Sequence, residues 1–330
     1  MSQTLQPPTP SDAPPASLVE ARRAGALRLG TEYPFEAHFT RPQGGPWLHY
    51  LDEGPTGTSS PDDSPILCVH GNPSWSFHWR RLIERFGSEH RVVAPDLIGC
   101  GFSEQPLDWP YRLRDHVDTV EALVESLDLR RITLVVQDWG GAIGLGVAGR
   151  QPERFERLVI LNSGAFRSAD MPPRIALGRI PVLGTLGIRG LGLFSRLALP
   201  WAVERKQWSE EERLAYLLPY PDWRRRIAVN AFVKDIPMRE DHPSWDELVR
   251  IEEALPRLRS KPTTLIWGER DWCFTTAFRD RYRQILPDAE SVGLADAGHW
   301  VLEDDPDQVL DAMGDFLARH PLPASSEDAG

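Results

Sequence analysis

One stretch near the middle of the chain constrains the fold most. Residues 132–136 form an apolar, largely β-branched run that leads through Gln137 to Asp138. Trp139 and two glycines follow, and residues 142–148 are small and apolar. This pattern predicts a buried strand, a sharp turn and a helix entered at its N-terminus. The predicted turn carries a carboxylate at its tip.

The carboxylate of Asp138 has two interpretations. Aspartate often caps the first turn of a helix, and Asp138 precedes one. A carboxylate held above a sheet can instead attack a saturated carbon and form an ester on the enzyme. Burial makes an ionised carboxylate costly, and backbone N–H groups at the start of the following helix would offset that cost. The second interpretation requires an acid and a base elsewhere in the chain.

Composition bounds the class of protein. The chain has 330 residues, of which 41% are hydrophobic, which suits one large globular domain with an inserted lobe. Its net charge of -11 argues against nucleic acid or an anionic membrane as partner. The three cysteines (Cys68, Cys100 and Cys273) cannot all pair, so we expect reduced thiols and a cytoplasmic location. No spacing typical of a metal site occurs, and no cofactor is predicted.

The two ends of the chain differ from the middle. Residues 1–30 contain five prolines and little apolar periodicity, so we predict a disordered tail and no signal peptide there. A second disordered tail is predicted over 321–330. The apolar stretch 175–203 is interrupted by arginine, glycine and proline, so we expect no membrane span.

Strands alternate with helices over most of the chain. This alternation predicts an α/β fold with a mostly parallel sheet flanked by helices. It is lost over 165–243, where aromatic and aliphatic residues follow helical spacing, which predicts an inserted helical cap over a dry pocket for a small apolar substrate. The core is then split into 31–164 and 244–320. The predicted strands are 47–52, 65–69, 91–95, 132–136, 158–161, 263–267 and 291–294, and the main predicted helices are 75–86, 115–127, 139–150, 276–286 and 307–317.

An acid and a histidine follow later strands. Asp271 lies just past the strand at 263–267, and His299 lies past the last strand. In a parallel sheet these loops meet at the carboxyl ends of the strands, next to Asp138. The carboxylate of Asp271 would hold the His299 ring in one tautomer, and His299 would act as a base. This set favours the catalytic interpretation of Asp138.

Two further residues are predicted to bind an anion beside Asp138. Asn72 follows a short strand, where backbone N–H groups can form an oxyanion hole, and Trp139 follows Asp138 directly. Their amide and indole N–H groups can point to one spot and hold a leaving anion. His70 and Asp96 are expected to hold loops, and a cis bond between Asn72 and Pro73 is plausible.

The chain resembles the haloalkane dehalogenase branch of the α/β-hydrolases. The resemblance covers roughly residues 33–319 and rests on the motifs HGNPSWS, PDLIGCG, VVQDWGG, WGERD and AGHWVLED. The turn at Asp138 resembles the nucleophile elbow of that fold, with aspartate in place of serine. The resemblance implies that Asp138 is the nucleophile, that His299 and Asp271 complete the catalytic set, and that Asn72 and Trp139 bind halide.

A narrower resemblance concerns the cap. The stretches PDLIGCGFSEQP, RIPVLGTLGIRGLGLFSR and PYPDWRRRIAVNAFVKDIPM are similar to the β-lactone decarboxylases of bacterial long-chain olefin synthesis. This implies a cis-3,4-dialkyl β-lactone as substrate, a cis-alkene and CO2 as products, and association with other enzymes of that pathway. The alternatives are a haloalkane dehalogenase, an epoxide hydrolase that uses Tyr216 and Tyr220 as acids, and a non-catalytic ligand sensor.

Overall fold

One mixed sheet of eight strands organises the molecule. The computed structural model describes residues 13–55 and 64–322. The spatial order is β1-β2-β4-β3-β5-β6-β7-β8; β2 runs antiparallel to both β1 and β4, and the other neighbours are parallel. The strands are β1 (His38–Thr40), β2 (Leu48–Glu53), β3 (Ile66–Val69), β4 (Val92–Pro95), β5 (Ile132–Asp138), β6 (Phe155–Ser163), β7 (Thr263–Gly268) and β8 (Glu290–Leu294).

Helices cover both faces of this sheet, as the alternating pattern predicted. Among the described residues the helices of the core are α1 (Ala16–Leu29), α2 (Arg80–Phe86), α3 (Leu113–Ser126), α4 (Trp139–Arg150), α10 (Trp245–Ala254), α11 (Thr276–Ile285), α12 (Val301–Asp304) and α13 (Pro306–Arg319). Between β6 and β7, before α10, lie α5 (Pro173–Arg179), α6 (Leu183–Thr185), α7 (Leu193–Trp201), α8 (Glu210–Leu217) and α9 (Ile227–Lys234).

The core lies in two layers, one on each face of the sheet. All seven residues of β5 are buried, and they alternate between the two layers. Leu134 and Val136 pack with α3 and α4, whereas Val135 faces the side of α2 and α13. The β-branched run of β5 therefore forms the centre of the fold, and its carboxyl end brings Asp138 to the edge of the sheet.

The segment between β6 and α10 contains helices and no strand, as predicted for the cap. Its own small core consists of Ile175, Ile188, Tyr220, Val229 and Val233. Leu186–Gly190 forms a π-helical turn between α6 and α7. The cap boundaries at 165 and 243 stay a prediction.

The N-terminal prediction was wrong for residues 16–29, which form α1. One face of this helix buries Leu18, Arg22 and Leu29, and the guanidinium of Arg22 donates to the Phe35 carbonyl at 2.7 Å. Because the buried face contains an arginine, the apolar periodicity is weak, and the sequence pattern did not predict a helix. Residues 1–12 and 323–330, which complete the two predicted tails, lie outside the described residues.

Candidate active site

The turn between β5 and α4 places Asp138 in a strained backbone conformation. Its φ of 54° and ψ of -127° are unusual for a residue with a side chain. Gly71 and Gly140 lie beside the turn. A Cβ atom at Gly140 would collide with the Val69 carbonyl, and a Cβ atom at Gly71 would collide with the Asp138 carboxylate. The chain therefore approaches itself closely here, and the turn is held with the carboxylate at its tip.

The Asp138 carboxylate is buried and contacted on both oxygens. Its side chain is held beside the backbone N–H of Asn72, which donates to Oδ1 at 2.6 Å. Oδ2 lies 3.4 Å from Nε2 of His299. The Ser163 hydroxyl donates to the Asp138 backbone carbonyl at 2.6 Å. Asp138 does not act as a side-chain cap for α4, so the capping interpretation is not supported.

His299 and Asp271 form the predicted pair. Nδ1 of His299 lies 2.8 Å from Oδ2 of Asp271. Burial alone would lower the pKa of His299, but the carboxylates of Asp271 and Asp138 outweigh it and raise that pKa to about 10. The two carboxylates therefore face opposite nitrogens of the His299 ring and favour its protonated form.

Asp271 is fixed by groups that the sequence did not reveal as functional. The side-chain amide of Asn162 donates to Oδ2 at 2.9 Å, and the backbone N–H of Cys273 donates to Oδ1 at 2.6 Å. Asn162 also exchanges hydrogen bonds with the backbone of Gly268 at the end of β7. The only sequence signal for this role is a polar residue near the carboxyl end of the buried strand β6.

Asn72 and Trp139 both line the cavity that contains Asp138, as expected of anion donors. The amide nitrogen of Asn72 donates to the Val229 carbonyl of the cap at 3.3 Å, and the amide oxygen is buried without a partner among the described residues. This long hydrogen bond occupies one of the two amide hydrogens, so the other is available to a ligand. The Asn72–Pro73 bond is cis, as anticipated.

His70 and Asp96 hold loops, as predicted. Nδ1 of His70 donates to the Gly71 carbonyl at 2.7 Å, and Nε2 accepts from Leu97 N–H at 2.9 Å. This pattern fits a neutral ring, and burial lowers the pKa of His70. Asp96 accepts backbone N–H groups of Ser76 and Phe102. Neither side chain lines the cavities at Asp138.

Two apolar cavities meet at Asp138. The larger has a volume of about 130 Å³ and extends between the cap and the start of α4. The smaller, of about 50 Å³, extends past His299 and Trp300. Both are lined by Asn72, Asp138, Ile175, Phe194 and Cys273. Asp138 is therefore shared by two apolar cavities whose remaining lining residues differ.

The two cap tyrosines lie outside both cavities. The Tyr216 hydroxyl donates to Glu303 at 2.7 Å, and its ring stacks on Trp300. The Tyr220 hydroxyl donates to the Ser74 carbonyl at 3.3 Å. These contacts direct both hydroxyl groups away from Asp138, which removes the feature that favoured an epoxide hydrolase.

One carboxylate that sequence reasoning missed joins the cap to the histidine loop. Asp304 accepts the backbone N–H of Gly298 at 2.6 Å, directly before His299. It also accepts the backbone N–H groups of Glu204, Arg205 and Lys206 at 2.7, 2.7 and 2.9 Å. Four donors on two distant segments thus share one acceptor, about 100 residues away in sequence from three of them. No local pattern could have indicated this.

Comparison with known proteins agrees with this geometry. The chain belongs to the α/β-hydrolase fold family, whose model matches residues 64–306. It is 40% identical to a cis-3-alkyl-4-alkyloxetan-2-one decarboxylase of Shewanella oneidensis over 88% of this chain and 90% of that protein. A decarboxylase of the same name from Xanthomonas campestris is 38% identical over 83% of this chain and 93% of that protein.

Haloalkane dehalogenases are related as well. One from Mycolicibacterium paratuberculosis is 36% identical over 73% of this chain and 78% of that protein. The crystal structure of haloalkane dehalogenase DbeA from Bradyrhizobium elkani matches with a TM-score of 0.77 and 25% identity, covering 90% of this chain and all of that chain (100%). The predicted fold and the family resemblance are both confirmed. No helix in residues 13–55 and 64–322 has the length and apolarity needed to cross a bilayer.

Proposed function

We propose that this protein converts cis-3,4-dialkyl β-lactones to cis-alkenes and CO2, with Asp138 as the nucleophile. The junction of two apolar cavities at the Asp138 carboxylate carries this proposal. A cis-dialkyl lactone bears two alkyl chains on adjacent ring carbons, so each cavity accommodates one chain. The identities of 40% and 38% to two decarboxylases of such lactones support the same substrate class.

The proposed reaction has two steps. Asp138 attacks the alkyl-bearing ring carbon that is bonded to the ring oxygen, the bond between these two ring atoms breaks, and the substrate carboxylate is released while an alkyl ester forms on Asp138. The electron pair of the bond to that carboxylate then forms the double bond, CO2 departs, and the Asp138 carboxylate leaves. Inversion in the first step followed by anti elimination in the second preserves the cis arrangement. The sum consumes no water and transfers no proton.

The electrostatics of the site suit these steps. The Asn72 amide and the Trp139 indole would hold the carboxylate released from the ring, since both residues line the cavity at Asp138. An imidazolium at His299, oriented by Asp271, favours the return of negative charge to Asp138 when the ester is expelled. Because no base is required, the raised pKa of His299 does not oppose this reaction.

A second candidate is hydrolysis of a carbon–halogen bond, favoured by the relationship to haloalkane dehalogenases. Asp138 would displace halide, and His299 would then activate water against the alkyl ester. Ester formation removes the charge of Asp138, one of the two carboxylates that raise the pKa of His299. The pKa of His299 would then fall, so its ring could lose its proton and accept one from the attacking water. The two reactions differ in whether solvent oxygen reaches Asp138.

Two assays on the full chain separate these functions. A synthetic cis-3,4-dialkyl lactone is expected to give alkene, detected by gas chromatography, while 1,2-dibromoethane gives little acid in a pH-indicator assay. A single turnover of lactone in ¹⁸O-water should leave the peptide with Asp138 unlabelled by mass spectrometry. Halide release with labelled Asp138 and no alkene would favour the dehalogenase. Failure of both assays in a folded protein would favour a ligand sensor.

Bromide quenching of tryptophan fluorescence tests the anion site independently of turnover. We expect Asn72→Ala to weaken quenching, because it removes the amide donor beside Trp139. Association with other enzymes of olefin synthesis and a cytoplasmic location stay predictions, and co-purification with the enzyme that forms the lactone would test the first.

A further inference from the structure

The outer face of the cap exposes an apolar ridge. We define the cap ridge as Leu177, Ile180, Val182, Leu183, Leu186 and Leu191, whose side chains are between 41% and 68% exposed. They lie in one segment that runs from α5 through α6 and the π-helical turn towards α7. Contiguous exposed apolar surface of this kind marks a binding face.

The charge of this segment departs from that of the whole chain. Residues 171–203 contain four arginines and no acidic residue, in a chain with a net charge of -11. The arginines are Arg174, Arg179, Arg189 and Arg196, and none of them forms an ion pair within the part of the chain that the structure describes. Arg174 lines the smaller cavity and Arg179 donates to the Val233 carbonyl at 2.9 Å, so Arg189 and Arg196 are the two that remain for a partner at this face. The overall charge, which argues against an anionic partner, therefore does not describe this face.

The tip of the ridge is held in a strained turn. Val182 has a φ of 62° and a ψ of -60°, and Leu183 N–H donates to the Pro181 carbonyl at 2.7 Å across it. This is a γ-turn of the rare positive-φ form, which is costly for a β-branched residue. Val182 is 68% exposed, so packing against the described residues offsets little of that cost. In this strained turn the side chains of Val182 and Leu183 are both exposed to solvent.

An aromatic residue extends the ridge. Trp223 is 44% exposed, and the guanidinium of Arg189 lies 4.6 Å from its ring and donates to its carbonyl at 3.0 Å. Tryptophan beside arginine and leucine is typical of helices that lie in the boundary layer of a membrane, where arginine stems lie along apolar surface and their charges reach the headgroups.

We infer that the cap ridge binds peripherally to a bilayer surface that contains anionic lipid. The aliphatic tips would enter the boundary layer, and Arg189 and Arg196 would pair with lipid phosphates. A second copy of the chain fits this face poorly, because a twofold contact would set the arginines of one copy against those of the other. Ile175 and Phe194, which line both cavities, belong to the helices of this segment. The ridge thus adjoins the cavities at Asp138.

Vesicle co-sedimentation of the full chain tests the inference without any substrate. The protein should bind vesicles made of equal parts phosphatidylcholine and phosphatidylglycerol, bind phosphatidylcholine alone more weakly, and lose binding as salt rises. Leu183→Asp should weaken binding roughly tenfold or more, since it removes an inserted tip and adds a negative charge. Arg196→Gln should weaken it about fivefold. Because turnover plays no part, failure here is distinct from failure of the proposed reaction.

Two controls keep the test decisive. Leu27→Asp adds the same charge at an exposed leucine of α1 and should leave binding unchanged. Val182→Gly removes the exposed tip while relieving the turn, so it should weaken binding without lowering the unfolding temperature. Equal binding by wild type and Leu183→Asp, or no binding to anionic vesicles, would overturn the inference. So would a wild-type dimer in size-exclusion chromatography that Leu183→Asp makes monomeric.

Discussion

The two halves of the candidate site are built in opposite ways. On the core side, Asp138, Asp271 and His299 are at most 7% exposed, and each is fixed by directional hydrogen bonds from strand ends. On the cap side, most lining residues, such as Ile175 and Phe194, are apolar and mainly define a shape. Hydrogen bonds specify angles, whereas apolar contacts mainly specify volume. We therefore expect the core half to determine the reaction and the cap half to determine which molecule undergoes it.

The largest effect is expected from removing the proposed nucleophile. Asp138→Ala should lower kcat for lactone decarboxylation by at least about 10⁴-fold, because the covalent step is lost. Asp170→Ala is the matched control, since Asp170 is an acid that lines the same cavity from the cap side. It should change kcat less than about threefold if the two halves differ as described. Equal losses in both variants would break the comparison.

The protonation of His299 in the core half should make the free energy of unfolding depend on pH. The folded pKa of His299 is about 10, above its ordinary value of 6.5, so its contribution is complete below pH 6.5 and is lost as pH rises towards 10. Wild type should lose stability over this window with a slope of up to about 1.4 kcal/mol per pH unit from this group. His299→Gln should lack that slope in urea unfolding at several pH values. Parallel curves for the two proteins would contradict the imidazolium between two carboxylates.

Asp304 connects the cap half to the core half through backbone hydrogen bonds, and a substitution can remove this connection. Asp304→Ala would leave four backbone N–H groups without their shared acceptor, so we expect the free energy of unfolding to fall by about 3 kcal/mol or more. The control Asp311→Ala, an exposed acid of α13, should stay within about 0.5 kcal/mol of wild type. Urea unfolding measures both. A matching small loss in the two variants would show that Asp304 does not join the halves.

The smallest effect is expected in the cap half. Phe194→Ala removes a ring that lines both cavities, and it should shift the preference between short-chain and long-chain lactones by about tenfold in kcat/KM. The neighbouring Leu193→Ala, at an exposed position, should not shift it. Competition between two lactones, followed by gas chromatography of the alkenes, gives the ratio directly. A large loss of kcat with unchanged preference would place Phe194 in the chemistry instead.

The sequence indicated the core half far better than the cap half, for physical reasons. Asp138, Asp271 and His299 each follow a buried strand, and parallel strands bring their carboxyl ends together regardless of what lies between them. The antiparallel edge strand β1 was missed because its three residues are only partly buried. Helix α1 was missed because it buries an arginine.

The roles of Asn162 and Asp304 could not be predicted from the chain. Asn162 contacts a carboxylate 109 residues away, and Asp304 contacts backbone groups that no side-chain pattern specifies. The partner of the Asn72 amide was equally hidden, because it is a backbone carbonyl of the cap. Periodicity indicates which face of an element is buried, but it carries no information about which distant backbone group will meet a given polar atom.

The shared acceptor at Asp304 has a consequence for how a ligand reaches the interior. Any outward swing of residues 204–206 would break hydrogen bonds on the same carboxylate that steadies Gly298, and the histidine beside it would lose its alignment. We therefore expect residues 204–206 to stay in place when a ligand enters. An entrance among α5 and α6, which lie farther along the chain from residues 204–206, would leave these hydrogen bonds intact.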